Sequence, residues 1–202
     1  MELLLVRHGA TEWNATGRFV GRTDLALSEL GRRQASALGR MLKHQPIARI
    51  ISSDLARARA TAEGIAASHA LPVKLDVRLR EFDFGAWEGL TWSEIAAAYP
   101  EVADTHAHAA RLYAPQGGET FIDVRERVAA LINSLTPQNF PGVTVLVAHA
   151  GVIHAALSAT LGAEFDAMAV TIKTGSVTRL TMKNGHWHLM SLSDVPTDDT
   201  TR

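Results

Sequence analysis

Short, continuous apolar runs recur along the chain, and each ends in polar residues. The first covers residues 3–6 and is followed by Arg7-His8-Gly9, and the second covers residues 143–148 and is followed by His149-Ala150-Gly151. A weaker run, interrupted by one arginine, covers residues 47–51 and is followed by Ser52-Ser53. Apolar runs of this length without alternation are typical of strands buried on both faces of a sheet. The pattern therefore predicts three buried strands.

Each run is followed by a segment with helical character. Ser28 is typical of a helix N-cap, and the segment 54–68 has the composition of a helix. From Phe121 to Leu135 the apolar residues recur every three or four positions, which predicts an amphipathic helix. The stripe expected after Ser28 consists of Leu30, Leu38, Met41 and Leu42. Strands that alternate with helices predict an α/β domain with a mainly parallel sheet.

The C-terminal part of the chain carries a different pattern. Segments 177–182 and 186–192 flank Asn184-Gly185, a strong signal for a β-hairpin turn. Residues 194–202 are polar and predict a frayed tail.

Length and composition support one domain. The chain has 202 residues, of which 47% are hydrophobic, enough for one well-packed core. We expect a single domain over residues 1–193, in which residues 82–116 have weak periodicity and form a partial cap over the site.

Charge and cysteine content narrow the classes of function. The formal net charge is −1, so the chain lacks the excess of basic residues that would indicate nucleic acid or an anionic membrane as a partner. The absence of cysteine excludes thiolate metal sites and cysteine nucleophiles. The N-terminal apolar run is too short for a signal peptide, and no stretch approaches the ~20 apolar residues of a membrane span. We therefore expect a cytoplasmic protein whose partner is a small molecule.

Three polar residues follow the predicted strands directly. His8, Ser53 and His149 each lie at the carboxyl end of an apolar run. Sites in parallel α/β sheets lie beyond these strand ends, so we expect the three residues to converge. A histidine attacks phosphorus only as neutral imidazole, with one nitrogen fixed as a donor and the other free. The positive charge of Arg7 would keep the His8 ring neutral and could also bind a phosphate oxygen.

Six segments in a fixed order resemble the histidine phosphatase superfamily, in its phosphoglycerate-mutase-like branch. The resemblance covers about residues 1–190 and is closest to the α-ribazole phosphatase and broad-specificity phosphatase group. The segments are RHG at 7–9, TEWN at 11–14, SSDLARARATA at 52–62, LREFDFGAWEG at 79–89, GGET at 117–120 and AHAG at 148–151. It implies a three-layer α/β/α sandwich and catalysis without a metal or other cofactor.

The resemblance also implies roles for individual residues. His8 would be the phosphorylated nucleophile, and Glu81 would be the general acid and base. The remainder of the phosphate pocket would consist of Arg7, Asn14, Arg57, His149 and Ala150. Val20 and Gly21 would lie on the substrate side, and the apolar Val20 removes a hydrogen bond that many relatives could make to a bisphosphate or mutase-like substrate.

The substrate prediction rests on the length of the cap. About 35 residues separate Glu81 from Gly117, and the mutases of the family have a longer insertion there that holds back water. A shorter cap favours hydrolysis of a small phosphate ester, with α-ribazole 5′-phosphate, from the lower arm of cobalamin synthesis, as the leading specific candidate. A phosphoglycerate mutase-type phosphotransferase is the alternative, and a phosphate-binding module without activity is a further one. For the oligomeric state, we expect a homodimer.

Other residues compete for roles in this interpretation. Glu88 is the main rival of Glu81 as the acid, and Asp83 and Glu12 are further alternatives. His106 with His108, and His186 with His188, form HxH pairs that could bind a metal in a metal-dependent hydrolase. No carboxylate pattern accompanies either pair, so we interpret both as surface residues and predict no metal site.

Overall fold

A computed structural model shows a six-stranded sheet with helices on both of its faces. The residues that it describes are 1–103, 115–135, 142–162, 165–167 and 169–197. The strands are β1 (Glu2–Arg7), β2 (Ile47–Ser52), β3 (Val73–Leu75), β4 (Val143–Ala148), β5 (Val177–Lys183) and β6 (His186–Asp194). The helices are α1 (Glu12–Ala15), α2 (Glu29–Leu42), α3 (Ala56–Ala66), α4 (Trp92–Ala98), α5 (Pro100–Ala103), α6 (Phe121–Leu135) and α7 (Ala150–Leu161).

The sheet has the order β3-β2-β4-β1-β5-β6. The first four strands in this order are mutually parallel, and β5 and β6 are antiparallel to their neighbours. The three apolar runs form β1, β2 and β4, and the segments around Asn184-Gly185 form the β5–β6 hairpin. The predicted α/β fold with a mainly parallel central sheet is confirmed, and α/β/α layering follows from how the helices pack.

The central strands are covered on both faces. Leu3 and Leu5 of β1 belong to a core cluster with α6 and α7. Leu4 and Val6 of the same strand belong to a second cluster with α2 and α3. Because adjacent side chains of a strand point to opposite faces, one continuous apolar run supplies both cores. Because both faces are buried, the strand needs no alternation of apolar and polar residues, which explains its continuous apolar run.

The stripe expected on α2 is only half right. Ser28 caps the helix, because its hydroxyl accepts from the Gly31 N–H, and Leu38 and Leu42 are buried. Leu30 and Met41, however, are exposed, at 50% and 41%. Small residues of α2 contact the neighbouring helix α3 instead. A Cβ on Gly39 would lie 2.4 Å from the Gly64 carbonyl oxygen of α3, so close backbone packing replaces the expected leucine contacts.

The described part of the predicted cap forms a small core of its own. Trp87, Ile95 and Val102 are buried there and pack against Phe19. The tail begins later than expected, because Asp194 pairs with Val177 and closes β6. Residues 195–197 are neither helix nor strand, and 198–202 lie outside the described residues. Across the described ranges, no helix has the length and apolar character needed to cross a membrane.

Candidate active site

The carboxyl ends of the three central parallel strands bring the predicted residues together. The His8 N–H donates to the Ala148 carbonyl at 3.0 Å, and the Ser53 N–H donates to the Val147 carbonyl at 2.9 Å. The Ser53 hydroxyl lies 3.0 Å from His149 Nε2. The rings of His8 and His149 lie 5.0 Å apart, edge to face. Residues that are 141 positions apart in sequence, His8 and His149, thus share one site.

The His8 ring is held as a buried, neutral imidazole. Its Nδ1 lies 2.7 Å from the Gly9 carbonyl oxygen, which can only accept a hydrogen bond. Nδ1 therefore carries the ring proton and donates this hydrogen bond, and Nε2 has the lone pair. Burial, followed by the positive charges of Arg57 and Arg7, holds the pKa of His8 well below its usual value, although the Gly9 hydrogen bond opposes this shift. The ring is therefore in the form that a nucleophile requires.

Arg57 is completely buried beside this lone pair. Its Nε donates to His8 Nε2 at 3.3 Å. Its Nη1 donates to the Thr23 carbonyl at 2.8 Å, and its Nη2 donates to the Gly21 carbonyl at 2.7 Å. A guanidinium has five N–H groups in a fixed plane, so two remain for a ligand once these contacts are made. The guanidinium is thus fixed in orientation next to the His8 ring.

Two further nitrogens of the site are buried and have no hydrogen-bond partner among the described residues. They are Nε of Arg7 and Nδ1 of His149. Arg7 is anchored through Nη1, which donates to the Ile172 carbonyl at 2.5 Å. Burial and the charge of Arg57 are the main causes that hold the pKa of His149 well below its usual value. Buried donors without acceptors are costly, and an anion bound here would supply the acceptors.

A pocket of about 300 Å³ opens in front of His8. Of the predicted site residues, those that line it are Arg7, His8, Asn14, Val20, Gly21, Arg57 and Glu81. The His149 ring lies 5.0 Å from the His8 ring, and Ala150 is the first residue of α7; neither is among the described residues that line the pocket. Asn14 uses its amide oxygen to accept from Thr11, which leaves the NH₂ of the amide as its donor toward an anion.

Glu81 lies on the pocket wall with both carboxylate oxygens oriented by the main chain. Oε1 accepts from the Phe82 N–H at 3.0 Å, and Oε2 accepts from the Gly151 N–H at 3.3 Å. A Cβ on Gly151 would lie 2.6 Å from Glu81 Oε1. Glycine at this position therefore makes room for the carboxylate at the start of α7.

Glu88, the rival acid, is engaged elsewhere. Its Oε1 accepts from the N–H groups of Arg22 and Phe84, and its Oε2 accepts from the N–H and hydroxyl of Thr23. Unlike Glu81, it is not among the described residues that line the pocket. The Glu88 carboxylate instead accepts hydrogen bonds from the main chain of the loop that contains Arg22 and Thr23.

Of the two HxH pairs, the one that lies within the described residues does not form a metal site. His186 and His188 are exposed on the edge strand β6, and no cluster of three metal-binding side chains occurs within the described ranges. His106 and His108 lie outside those ranges. Gly9 permits close packing of the turn after His8 on α2, since a Cβ there would lie 2.4 Å from the Gly31 carbonyl oxygen.

Several residues of the site had no assigned role from sequence. Arg18, Phe19 and Phe84 also line the pocket. Thr61 accepts from the Gly9 N–H at 3.1 Å and so supports the turn after His8. Arg127 donates to the Glu81 carbonyl at 3.2 Å. The helical periodicity of residues 121–135 indicates a buried face but gives no sign of a contact to a loop 46 positions away.

Comparison with known proteins gives consistent matches. The model of the histidine phosphatase superfamily, branch 1, matches residues 3–195. A glucosyl-3-phosphoglycerate phosphatase of Mycolicibacterium vanbaalenii is 43% identical over 172 residues, which are 81% of this chain and 76% of that protein. The metal-independent phosphoserine phosphatase of Arabidopsis thaliana is 33% identical over 198 residues, which are 96% of this chain and 82% of that protein.

Solved structures show the same fold. YhfR of Bacillus stearothermophilus is 34% identical with a TM-score of 0.87, and the match covers 96% of this chain and 97% of that one. A mycobacterial glucosyl-3-phosphoglycerate phosphatase in complex with VO3 is 35% identical with a TM-score of 0.84 and the same coverage. A putative α-ribazole-5′-P phosphatase of Escherichia coli has a TM-score of 0.85 over 98% of this chain and 99% of that one, but at 24% identity this match shows the fold alone.

Proposed function

Because the chain belongs to the histidine phosphatase superfamily, we propose that Nε2 of His8 is the atom that accepts the phosphoryl group. The protein is a phosphomonoesterase of this family. The observation that carries the proposal is the fixed tautomer of the buried His8 ring. Nδ1 donates to Gly9, and the remaining lone pair lies next to the guanidinium of Arg57.

The groups around His8 support a site for a phosphoryl dianion. Phosphoryl transfer spreads charge over three equatorial oxygens, so its catalysis depends on positioned donors. Arg7 Nε, His149 Nδ1 and the two remaining N–H groups of Arg57 are donors for these oxygens. For His149 this requires the tautomer with the proton on Nδ1, in which Nε2 accepts from the Ser53 hydroxyl. The Asn14 amide completes the set.

Glu81 would donate a proton when His8 is phosphorylated and accept one when the phosphohistidine is hydrolysed. In the first step, His8 Nε2 releases the hydrogen bond from Arg57 Nε and uses that lone pair to form a bond to phosphorus, while the ester oxygen leaves with the proton of the Glu81 carboxyl. In the second, the Glu81 carboxylate takes a proton from water, and the resulting hydroxide attacks phosphorus and breaks the N–P bond. Inorganic phosphate leaves, His8 is neutral again, and Glu81 is protonated for the next cycle.

Glucosyl-3-phosphoglycerate is the substrate that we propose to test first. The support is the 43% identity to a phosphatase that carries this substrate in its name. α-Ribazole 5′-phosphate remains a second candidate, which rests on the resemblance of the sequence motifs. The relatives described above carry phosphatase names, which favours hydrolysis over a mutase-type transfer.

A panel of phosphate esters tests this assignment. Purified protein would be assayed with glucosyl-3-phosphoglycerate, α-ribazole 5′-phosphate, phosphoserine and 3-phosphoglycerate, with phosphate release and 2-phosphoglycerate formation measured in parallel. We expect phosphate release, with the highest kcat/KM for glucosyl-3-phosphoglycerate. Conversion of 3-phosphoglycerate into 2-phosphoglycerate faster than phosphate release would favour the mutase alternative.

A further inference from the structure

The loop of residues 20–24, which we call the arginine loop, holds the guanidinium of Arg57. The loop carbonyls of Gly21 and Thr23 accept from the two Nη groups of Arg57. The loop is also attached to the helix that carries Arg57, because Asp24 accepts from the Ala56 N–H at the start of α3. The direction of Arg57 Nε toward His8 therefore depends on where this loop lies.

The other side of the arginine loop rests on the carboxylate of Glu88. The N–H groups of Arg22 and Thr23 donate to it at 2.7 Å and 2.8 Å, and the Thr23 hydroxyl donates at 2.5 Å. Gly21 has a φ of +53°, and a Cβ there would overlap Glu88 Oε1. The loop backbone thus packs directly on this carboxylate, with no side chain between them.

The segment that carries Glu88 is itself well anchored. Its Gly89 N–H donates to the Phe19 carbonyl at 2.8 Å, and the Phe19 N–H donates to the Leu90 carbonyl at 2.9 Å. Trp87, the residue before Glu88, is buried in the small core of the cap. Glu88 is therefore a rigid support for the loop and not a mobile side chain.

We propose that Glu88 is a positioning residue that acts on the reaction through Arg57. The chain of contacts runs from the Glu88 carboxylate to the N–H groups of the arginine loop, from the loop carbonyls to the Arg57 Nη groups, and from Arg57 Nε to His8 Nε2. This inference rests on the proposed function, in which Arg57 binds the transferring phosphoryl group. It excludes the role of leaving-group acid for Glu88.

A carboxylate is specifically suited to this position. It offers acceptors only, and both of its oxygens face main-chain and hydroxyl donors. In Glu88→Gln the side chain keeps its length, but one of the two oxygens becomes an NH₂ that faces the same donors. At least one loop contact must then break, while the buried core around Trp87 is untouched.

A double-mutant cycle on the phosphorylation step tests the proposal. The variants are Glu88→Gln, Arg57→Ala and the double variant, each measured in single turnovers with a nitrophenyl phosphate and with an alkyl phosphate. We expect Glu88→Gln alone to slow phosphorylation about tenfold or more, which corresponds to ~1.4 kcal/mol of transition-state stabilisation. Both esters should be slowed equally, because Arg57 binds the phosphoryl group and not the leaving oxygen.

The cycle separates a positioning role from a merely structural one. In the Arg57→Ala background, Glu88→Gln should change the rate by less than about twofold, because coupled residues are non-additive. An equal slowing in both backgrounds, or a loss confined to the alkyl ester, would overturn the proposal. If Arg57→Ala alone leaves the rate unchanged, the proposed function fails first, since Arg57 would then not bind the phosphoryl group.

Two further variants keep the test interpretable. Glu63→Gln makes the same chemical change on α3, in an exposed pair with Arg59 at 3.8 Å, and should leave the rate within about twofold. Thr23→Val removes only the hydroxyl contact to Glu88 and covers the case in which Glu88→Gln does not fold. It should slow phosphorylation severalfold in the wild-type background and not in the Arg57→Ala background. Additive effects of Thr23→Val would again overturn the proposal.

Discussion

Replacement of Arg57 by lysine tests the fixed geometry of the phosphate site. Lysine keeps the positive charge but has one ammonium on a flexible stem in place of a planar fork. In the structure, three nitrogens of Arg57 point in three directions, toward His8 Nε2 and the carbonyls of Thr23 and Gly21. A lysine ammonium cannot serve all three and also present two N–H groups to a phosphoryl oxygen.

The size of the effect follows from these contacts. Hydrogen bonds to charged groups contribute ~1.5–3 kcal/mol each. If Arg57→Lys loses one such contact to the transition state, kcat/KM should fall by roughly 10- to 150-fold, since ~1.4 kcal/mol corresponds to a factor of ten. Loss of contacts to the arginine loop adds to this, because the loop carbonyls of the buried site lose their donors.

The assay is kcat/KM for nitrophenyl phosphate, measured beside the thermal unfolding midpoint. Arg59→Lys is the matched control, since Arg59 lies two residues further along α3, is half-exposed and pairs with Glu63 at 3.8 Å. We expect the control to stay within about twofold of wild type. An Arg57→Lys enzyme that is also within about twofold would refute the argument that the guanidinium fork binds the phosphoryl group.

The remaining predictions concern the acid, metals and pH. Glu81→Gln should slow phosphoenzyme formation from an alkyl phosphate by ~10²-fold or more and from a nitrophenyl phosphate much less, because a stabilised phenolate needs no proton; equal slowing in single turnovers would remove Glu81 as the acid. EDTA should leave the rate unchanged, and recovery of a lost rate by zinc or magnesium would contradict this. Because burial and nearby arginines lower the pKa values of His8 and His149 in the folded state, only the unfolded chain takes up protons at these rings just below pH ~6.5. The free energy of unfolding should therefore fall as pH drops below that value, by up to ~1.4 kcal/mol per pH unit for each of the two histidines. Urea titrations at several pH values between 5 and 7 give this free energy, and its dependence on pH should be weaker in His8→Asn.

The fold was predictable where burial leaves a simple pattern. Strands β1, β2 and β4 are covered on both faces, so their apolar runs mark them in the sequence. The stripe on α2 was predicted less well, because glycines and alanines make much of its close contact and the exposed Leu30 and Met41 resemble core residues. Composition alone does not separate a buried small residue from an exposed one.

The site was predictable to the extent that it lies at strand ends. The rule for parallel sheets indicated His8 and His149, and the motif resemblance indicated Arg57 and Glu81. The function of Glu88 was not predictable, since its partners are main-chain N–H groups 65 and 66 positions away. Every residue but proline has such an N–H, so this kind of contact leaves no signature in the sequence.

The most direct test of the account is the position of the covalent phosphate. Protein mixed with a labelled phosphate ester would be quenched in alkali, in which a phosphoramidate survives, and the labelled residue and nitrogen would be identified. We expect the label on Nε2 of His8, stable in alkali and labile in acid, and we expect its loss together with turnover in a folded His8→Ala protein. Label on another residue, on Nδ1 of His8, or turnover that persists in His8→Ala would contradict the mechanism.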